Sequence, residues 1–318
     1  MNYLITGSAG FIGSHLSTTL LAQGHRVIGI DDLNDYYSVT QKQENITQLK
    51  EFSEYSFLQC DIRKPEEIKT FLQKYSQPID AIIHLAARAG VRPSIAKPTL
   101  YTDVNVNGTV QMLELARVFQ IPKFIFASSS SVYGNQEKTP FSETDAVDTP
   151  ISPYAATKRA GELLSYTYHA LHGMSVACLR FFTVYGPKGR PDMAPYLFVD
   201  KVHRGEAITK FGNGETRRDY TYIEDIISGI LASLQADIGY EIINLGNSHT
   251  ISLNEFIATV ERVTGKTAIV DQQGPQPGDV QQTFADITKA KKLLGYDPST
   301  AIESGLQHFY EWYKRYRV

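Results

Sequence analysis

Three glycines at intervals of three, Gly7, Gly10 and Gly13, directly follow an apolar run, Tyr3-Leu4-Ile5, and open a helical pattern. Glycines at these places let the chain turn tightly, bring backbone N–H groups onto a pyrophosphate and pack the helix close against the strand. The helix N-terminus adds free donors and a partial positive charge, and its first N–H groups belong to Phe11 and Ile12. The pattern by itself also occurs in ordinary glycine-rich turns. Its context narrows it. A second apolar run, Val27–Ile30, ends in Asp31-Asp32, about 20 residues downstream, where a carboxylate meets the adenine ribose hydroxyls of a dinucleotide. Such a carboxylate repels the extra phosphate of NADP, so NAD is the expected cofactor.

Further apolar runs follow at Phe57–Leu58, Ala81–His84, Phe124–Ala127 and Val176–Arg180, separated by amphipathic stretches that are clearest at Gly108–Phe119 and Tyr154–His172. Near-continuous apolar strands alternating with helices indicate a parallel sheet covered on both faces. The expected fold is therefore α/β, a doubly wound parallel sheet of Rossmann type. After Thr183 the texture changes, with Gly186, Pro187, Gly189, Pro191 and Pro195 close together and Gly212, Gly214, Pro275, Pro277 and Gly278 further on. This predicts a dinucleotide domain over 1–183 and a smaller C-terminal lobe, over 184–318, that binds substrate. Residues 241–246 are expected to supply a strand that rejoins the large sheet.

Composition removes several classes. A formal net charge of -3 with mixed signs along 318 residues argues against a general nucleic-acid binder. No run approaches the ~18 apolar residues of a membrane helix, and no basic-then-apolar leader precedes the first strand. Cys60 and Cys178 sit in apolar segments without a CxxC or His-rich neighbourhood, so neither a metal site nor a disulfide framework is expected. Buried thiols fit a reducing, cytoplasmic setting.

Tyr154 and Lys158 lie four residues apart, on one face of a helix. Taking a proton from an alcohol needs a base, and free tyrosine, with pKa about 10, is poorly ionised at neutral pH. A neighbouring ammonium lowers that pKa. The serine run Ser128–Ser131 follows the preceding strand, and open α/β sheets bind their ligands beyond the strand carboxyl ends.

On these motifs the chain resembles the extended short-chain dehydrogenase/reductases. The glycine spacing, Asp61-Ile62 after the third strand, His84-Leu85-Ala86-Ala87 after the fourth, and Val104-Asn105-Val106-Asn107-Gly108-Thr109 all match, and the likeness runs over essentially the whole chain. The resemblance implies that Asp61 and Ile62 contact adenine. Leu85, Ala86, Ala87 and Asn105 line the cofactor, as Tyr154 and Lys158 also do, and Ser129 hydrogen-bonds the reacting oxygen beside Tyr154 and Lys158. The nucleotide-sugar dehydratases of this family carry Asp-Glu where this chain has Ser130-Ser131, and UDP-glucuronate decarboxylases carry Glu at the second place. Dehydration and decarboxylation both lose ground.

The run Leu179-Arg180-Phe181-Phe182-Thr183-Val184-Tyr185-Gly186-Pro187, continuing into Arg190-Pro191-Asp192-Met193-Ala194, resembles the UDP-glucuronate 4-epimerases. So do Asp32–Tyr37, Ala89-Gly90-Val91-Arg92, Gln276–Val280 and Trp312-Tyr313. By this resemblance Thr183 and Arg190 contact the sugar carboxylate, Arg218 reaches the diphosphate and Asp279 meets the uridine ribose, and Ser129, Ser130 and Ser131 are expected among the substrate-binding residues. As bare chemistry, Arg190 could instead be held in its loop by Asp192. The expectation is NAD-dependent 4-epimerisation of a UDP-sugar, UDP-glucuronate first, with UDP-glucose or UDP-N-acetylglucosamine as the alternative and a decarboxylase or a non-catalytic NAD sensor behind them. The same resemblance implies a homodimer built on the helical stretches 108–119 and 154–172.

Overall fold

A computed structural model describes residues 1–75, 77–274 and 280–318. The strands are β1 (Asn2–Thr6), β2 (Arg26–Asp31), β3 (Tyr55–Gln59), β4 (Ala81–His84), β5 (Lys123–Ser129), β6 (Ser175–Phe181), β7 (Thr183–Tyr185), β8 (Ala207–Phe211), β9 (Arg217–Tyr222), β10 (Tyr240–Leu245), β11 (Thr250–Ser252) and β12 (Ile269–Gln273). Seven of them form one sheet in the order β10-β6-β5-β4-β1-β2-β3. The pairs β1·β2, β1·β4, β2·β3 and β4·β5 all run parallel. This is the doubly wound arrangement that the alternating apolar runs predict. The chain winds one way from β1 to β3, restarts at β4 on the other side of β1, and winds outward again. The switch point therefore lies between β1 and β4, where such sheets open a crevice for ligands.

Burial explains the apolar runs. Leu4, Ile28, Ile30, Ile82, Met112, Leu113, Phe124, Phe126 and Val176 belong to one core cluster and are all but inaccessible. Each such side chain contributes roughly 1.5–3 kcal/mol relative to exposure. The helix Pro153–His172 is well delimited. Ser152 caps it by accepting the Ala155 N–H at 3.1 Å, Pro153 occupies its first turn, and Gly173 ends it in the left-handed region at φ 66°.

The chain divides into two compact units. The first comprises Met1–Gly134, Ala146–Arg180 and Ile230–Ile243, and the second Asn135–Asp145, Phe181–Gly229 and Asn244–Val318. The sequence reading put the border at 183 and expected only 241–246 to return. The strand does return, as β10 beside β6, but the returning stretch begins earlier, within the helix Ile223–Gln235. A border inside a helix leaves no break in composition to read. The second unit contains a three-stranded sheet, β11-β9-β7, a two-stranded sheet, β12-β8, and helices that include Ala194–Arg204, Leu253–Thr264 and Ile302–Tyr316.

Gly161 shows how closely the Pro153–His172 helix lies on β5. A Cβ at this position would overlap the ring tip of Phe126, itself 1% exposed. Gly161→Ala gains about 1 kcal/mol of helix propensity, against about 1–3 kcal/mol for overpacking a core that cannot yield. We expect a net loss of up to about 2 kcal/mol in urea unfolding. A variant stabilised by the full propensity gain would refute this account of the contact.

Candidate active site

The glycine turn sits at the carboxyl end of β1. Gly7 adopts φ 74°, and a Cβ there would stand 2.9 Å from the Ala86 nitrogen beyond β4. A Cβ on Gly13 would overlap the Gly7 carbonyl oxygen. The two strand ends that flank the switch point thus approach to a limit only glycine permits. The helix Phe11–Ala22 begins at Gly10 with no side-chain cap and no acid in its first turn. Its opening N–H groups, those of Phe11 and Ile12, are left to an anion from outside. These features fit a dinucleotide pyrophosphate.

Asp31 closes β2 and is 6% exposed. Its carboxylate accepts the Ala9 N–H at 3.1 Å and the Leu33 N–H at 2.9 Å, which holds the glycine turn against the end of β2. Burial raises its pKa, opposed by those two donors and by Lys42. Asp61 stands beyond β3 with its carboxylate engaged by Arg63, which lowers its pKa. Ile62 is buried, packed where a side chain on Gly108 would have to go. Both positions lie at the edge the sequence assigns to adenine. Tyr36 and Tyr37 reach back toward the ends of β1 and β4, the Tyr37 hydroxyl close to Gly10 and the Tyr36 hydroxyl close to Gly90. Lys42 sits over the Tyr37 ring at 4.6 Å.

Leu85, Ala86 and Ala87 are half-buried beyond β4. The Leu85 N–H donates to the Thr6 carbonyl, and the Ala86 N–H to the Thr6 hydroxyl. Asn105 lies in a π-helical turn, Asp103–Asn107, that interrupts the run from Pro98–Thr102 into Gly108–Val118. Its carboxamide accepts the Arg88 N–H at 2.7 Å and donates to the Arg88 carbonyl at 2.9 Å and to the Thr157 hydroxyl at 3.0 Å. Asn105 therefore holds the wall of the crevice rather than projecting past it. Arg88 also reaches the Asn34 side chain at 3.1 Å.

Ser129 closes β5, and Lys158 on the helix Pro153–His172 lies against the same strand end, next to Tyr154. The Ser129 hydroxyl donates to Ser131 Oγ at 3.1 Å and accepts the Ser131 N–H at 3.2 Å, opening a 3-10 turn over Ser130–Tyr133. Lys158 is 5% exposed, and its ammonium donates to the Ala127 carbonyl at 2.6 Å and lies 5.9 Å from the Tyr154 ring centre. Burial pulls its pKa down to about 8, while Glu162 works to raise it. Glu162 is fully buried one turn along the same helix. It accepts the Ser128 hydroxyl at 2.6 Å, two N–H groups of Arg180 at 2.8 and 2.9 Å, and Arg159 at 3.1 Å. Ser128 is thus a structural member of the run. The sequence reading missed Glu162 and Arg180, though an arginine inside an apolar strand is a signal, because a buried charge needs a partner.

In the second unit, Thr183 opens β7 in register with Tyr220 of β9. Arg218, two residues earlier on β9, pairs in register with Ile251 of β11 and donates to the Arg217 carbonyl at 2.9 Å. Arg190 meets Asp192 through two hydrogen bonds, of 3.0 and 2.6 Å. The loop ion pair that the sequence admitted as an alternative is therefore present. Asp279 lies outside the described residues. Among the described residues no cluster of His, Cys, Asp and Glu could hold a metal, and no helix is long and apolar enough to cross a membrane.

The sequence profile of the GDP-mannose 4,6 dehydratase family matches residues 4–309. The chain is 48% identical to UDP-glucuronate 4-epimerase of Thermodesulfobacterium geofontis, over 98% of this chain and 96% of that protein. The crystal structure of UDP-glucuronic acid 4-epimerase from Bacillus cereus, in complex with UDP-glucuronic acid and NAD, is similar with a TM-score of 0.91 and 39% identity over 99% of each chain. UDP-glucose 4-epimerase from Thermotoga maritima, solved with UDP-glucose, gives the same TM-score at 30% identity, again over 99% of each chain.

The Glu162–Arg180 pair generates a test. Glu162→Gln leaves Arg180, 1% exposed, without its counter-charge, a loss of about 3–5 kcal/mol. Glu162→Leu combined with Arg180→Met should cost less than Glu162→Gln alone in urea unfolding. Strictly additive losses would show that the two residues stabilise the fold independently.

Proposed function

From the premise that this chain belongs to the GDP-mannose 4,6 dehydratase family, we propose that it interconverts UDP-glucuronate and UDP-galacturonate by inverting carbon 4, with NAD as its cofactor. One observation carries this reading. Ser129 ends β5, and Lys158, beside Tyr154, donates to the Ala127 carbonyl of β5, in the same parallel sheet whose β1 leads into the glycine turn, in a chain whose relatives include UDP-glucuronate 4-epimerases.

Tyr154 takes the proton of the sugar 4-hydroxyl, Ser129 donates a hydrogen bond to the reacting oxygen, and the Lys158 ammonium favours the phenolate. NAD, when bound, supplies a reversible hydride acceptor for carbon 4. The resulting 4-keto sugar turns about its diphosphate link, and Tyr154 returns the proton after reduction on the opposite face. The centre is inverted with no net redox change. The keto intermediate of a glucuronate is a β-keto acid, which loses carbon dioxide most readily when the breaking bond lies parallel to the carbonyl π system. Thr183, Arg190 and the serines Ser130 and Ser131 are assigned to hold the carboxylate away from that alignment, an arginine fork suiting a carboxylate well. Asp192 meets the Arg190 guanidinium in the same bidentate manner. Arg218 is assigned to the diphosphate and Asp279 to the uridine ribose. The first unit binds NAD and the second the nucleotide sugar. Although the family is named for dehydration, Ser130 and Ser131 offer no carboxylic acid to expel water.

The protein is assigned to the cytoplasm, where its two buried free cysteines stay reduced. It is also assigned as a homodimer. Leu163, Tyr166 and Leu171 are 53%, 53% and 75% exposed on the helix Pro153–His172, at spacings that put them on one stripe.

Purified enzyme incubated with NAD and, separately, with UDP-glucuronate and UDP-glucose is the direct test, with products resolved by proton NMR. We expect UDP-galacturonate with little pentose, and slow turnover of the neutral sugar. Preferential epimerisation of UDP-glucose would remove the carboxylate role from Thr183 and Arg190. Tyr154→Phe should cut turnover by roughly 10²–10⁴ and leave binding of the acid sugar intact. Arg190→Ala should raise KM for UDP-glucuronate by about tenfold or more with a small effect on UDP-glucose. Equal binding losses in both variants would remove Arg190 from the carboxylate.

A further inference from the structure

We propose that His84 is a positioning residue: as the neutral imidazole protonated on Nε2, it fixes the loop Leu85–Arg88 against the Asn105 turn and thereby sets the affinity for NAD. The role rests on the reading above that these strand ends hold NAD.

The proton positions follow from counting donors. The Thr109 hydroxyl spends its one proton on the Asn105 carbonyl, at 2.6 Å. Toward His84 Nε2, 3.1 Å away, it can only accept, so Nε2 carries a hydrogen. On the other side the Thr6 hydroxyl accepts the Ala86 N–H at 3.2 Å. Its own proton is left for His84 Nδ1, 2.7 Å away, which must be bare. The line is Ala86 N–H to Thr6 to His84 to Thr109 to the Asn105 carbonyl, each group donating once.

Asn105 closes the circuit. Its side chain grips both the N–H and the carbonyl of Arg88. The loop Leu85–Arg88 is therefore pinned near one end through Thr6 and at the other through Asn105, and His84 joins the two pins. The ring is 1% exposed and packs on Phe124 and Phe126, with centroids 5.8 and 6.1 Å away. It has no space to turn over. The charged group that faces it is Lys158, and burial together with that charge pushes its pKa down to about 3. An imidazolium would also need an acceptor at Nδ1, which the Thr6 hydroxyl could become only by redirecting its proton. The lever on the cofactor is the clearance at Gly7. With so little room between that position and the Ala86 nitrogen, a small shift of the loop changes the shape of the phosphate turn itself.

Two measurements test this on the full-length protein. Long-range proton–nitrogen NMR of histidine-labelled protein should show one neutral Nε2–H imidazole unchanged from about pH 5.5 to 8, absent in His84→Asn. Thr109→Val keeps the shape and removes the hydroxyl. It should weaken NAD binding by the nucleotide-free protein about tenfold, and Thr109→Ser should restore it. A Nδ1–H tautomer, a ring that titrates near neutrality, or a Thr109→Val variant that binds NAD like the wild type would overturn the proposal. A wild type that binds no NAD would instead fell the cofactor reading, and the tautomer would still decide the hydrogen-bond line.

Discussion

Glu162 is a carboxylate with no access to water, and the geometry of the site rests on how it is satisfied. Its two oxygens take hydrogen bonds from Ser128 at the end of β5, from Arg180 in β6 and from Arg159 on its own helix. One side chain thereby ties together the strand that ends in Ser129, the strand that leads out toward Thr183, and the helix that carries Tyr154 and Lys158. Buried ion pairs of this kind are weak sources of stability, since desolvation offsets most of the attraction, but they fix a single arrangement where apolar packing would tolerate several. The same carboxylate opposes the lowering of the Lys158 pKa that burial causes.

Much of this was legible in the sequence because the signals were local. The glycine spacing, the apolar runs with their period and the Tyr-Lys spacing each describe a few consecutive residues, and each emerged where expected. Neighbour relations across the sheet were not legible. Asn105 could be placed on a helix that the family shares, yet nothing in its surroundings says that its carboxamide is used up on Arg88 and Thr157. Glu162 reads as one more acid on an amphipathic helix until Arg180 is seen opposite it. Arg190 was the instructive case, because the same residues, Arg190 and Asp192, support both a loop ion pair and a carboxylate clamp. The structure displays the first.

The two kinds of cation in the protein are handled in opposite ways. Lys158 is dry, fixed by a carbonyl at 2.6 Å, and has its pKa lowered. Its charge costs free energy to keep and is correspondingly effective on a phenol nearby, because little water screens it. Arg190 is a guanidinium, a fixed charge, paired with an acid two residues away.

The π-helical turn at Asp103–Asn107 amounts to one residue more than the α-helical path through the same space would need. Removing Val106 or Asn107 would restore a regular helix with its flanks in place, but would leave Asn105 and Gly108 two residues apart, about 200° around an α-helix. Gly108, against which Ile62 packs, and Asn105, which grips Arg88, could then no longer both face inward. Sequence length in this segment is therefore as constrained as residue identity. Substitutions can accumulate along these helices, whereas a one-residue deletion would sever the wall of the dinucleotide crevice from the core that supports it.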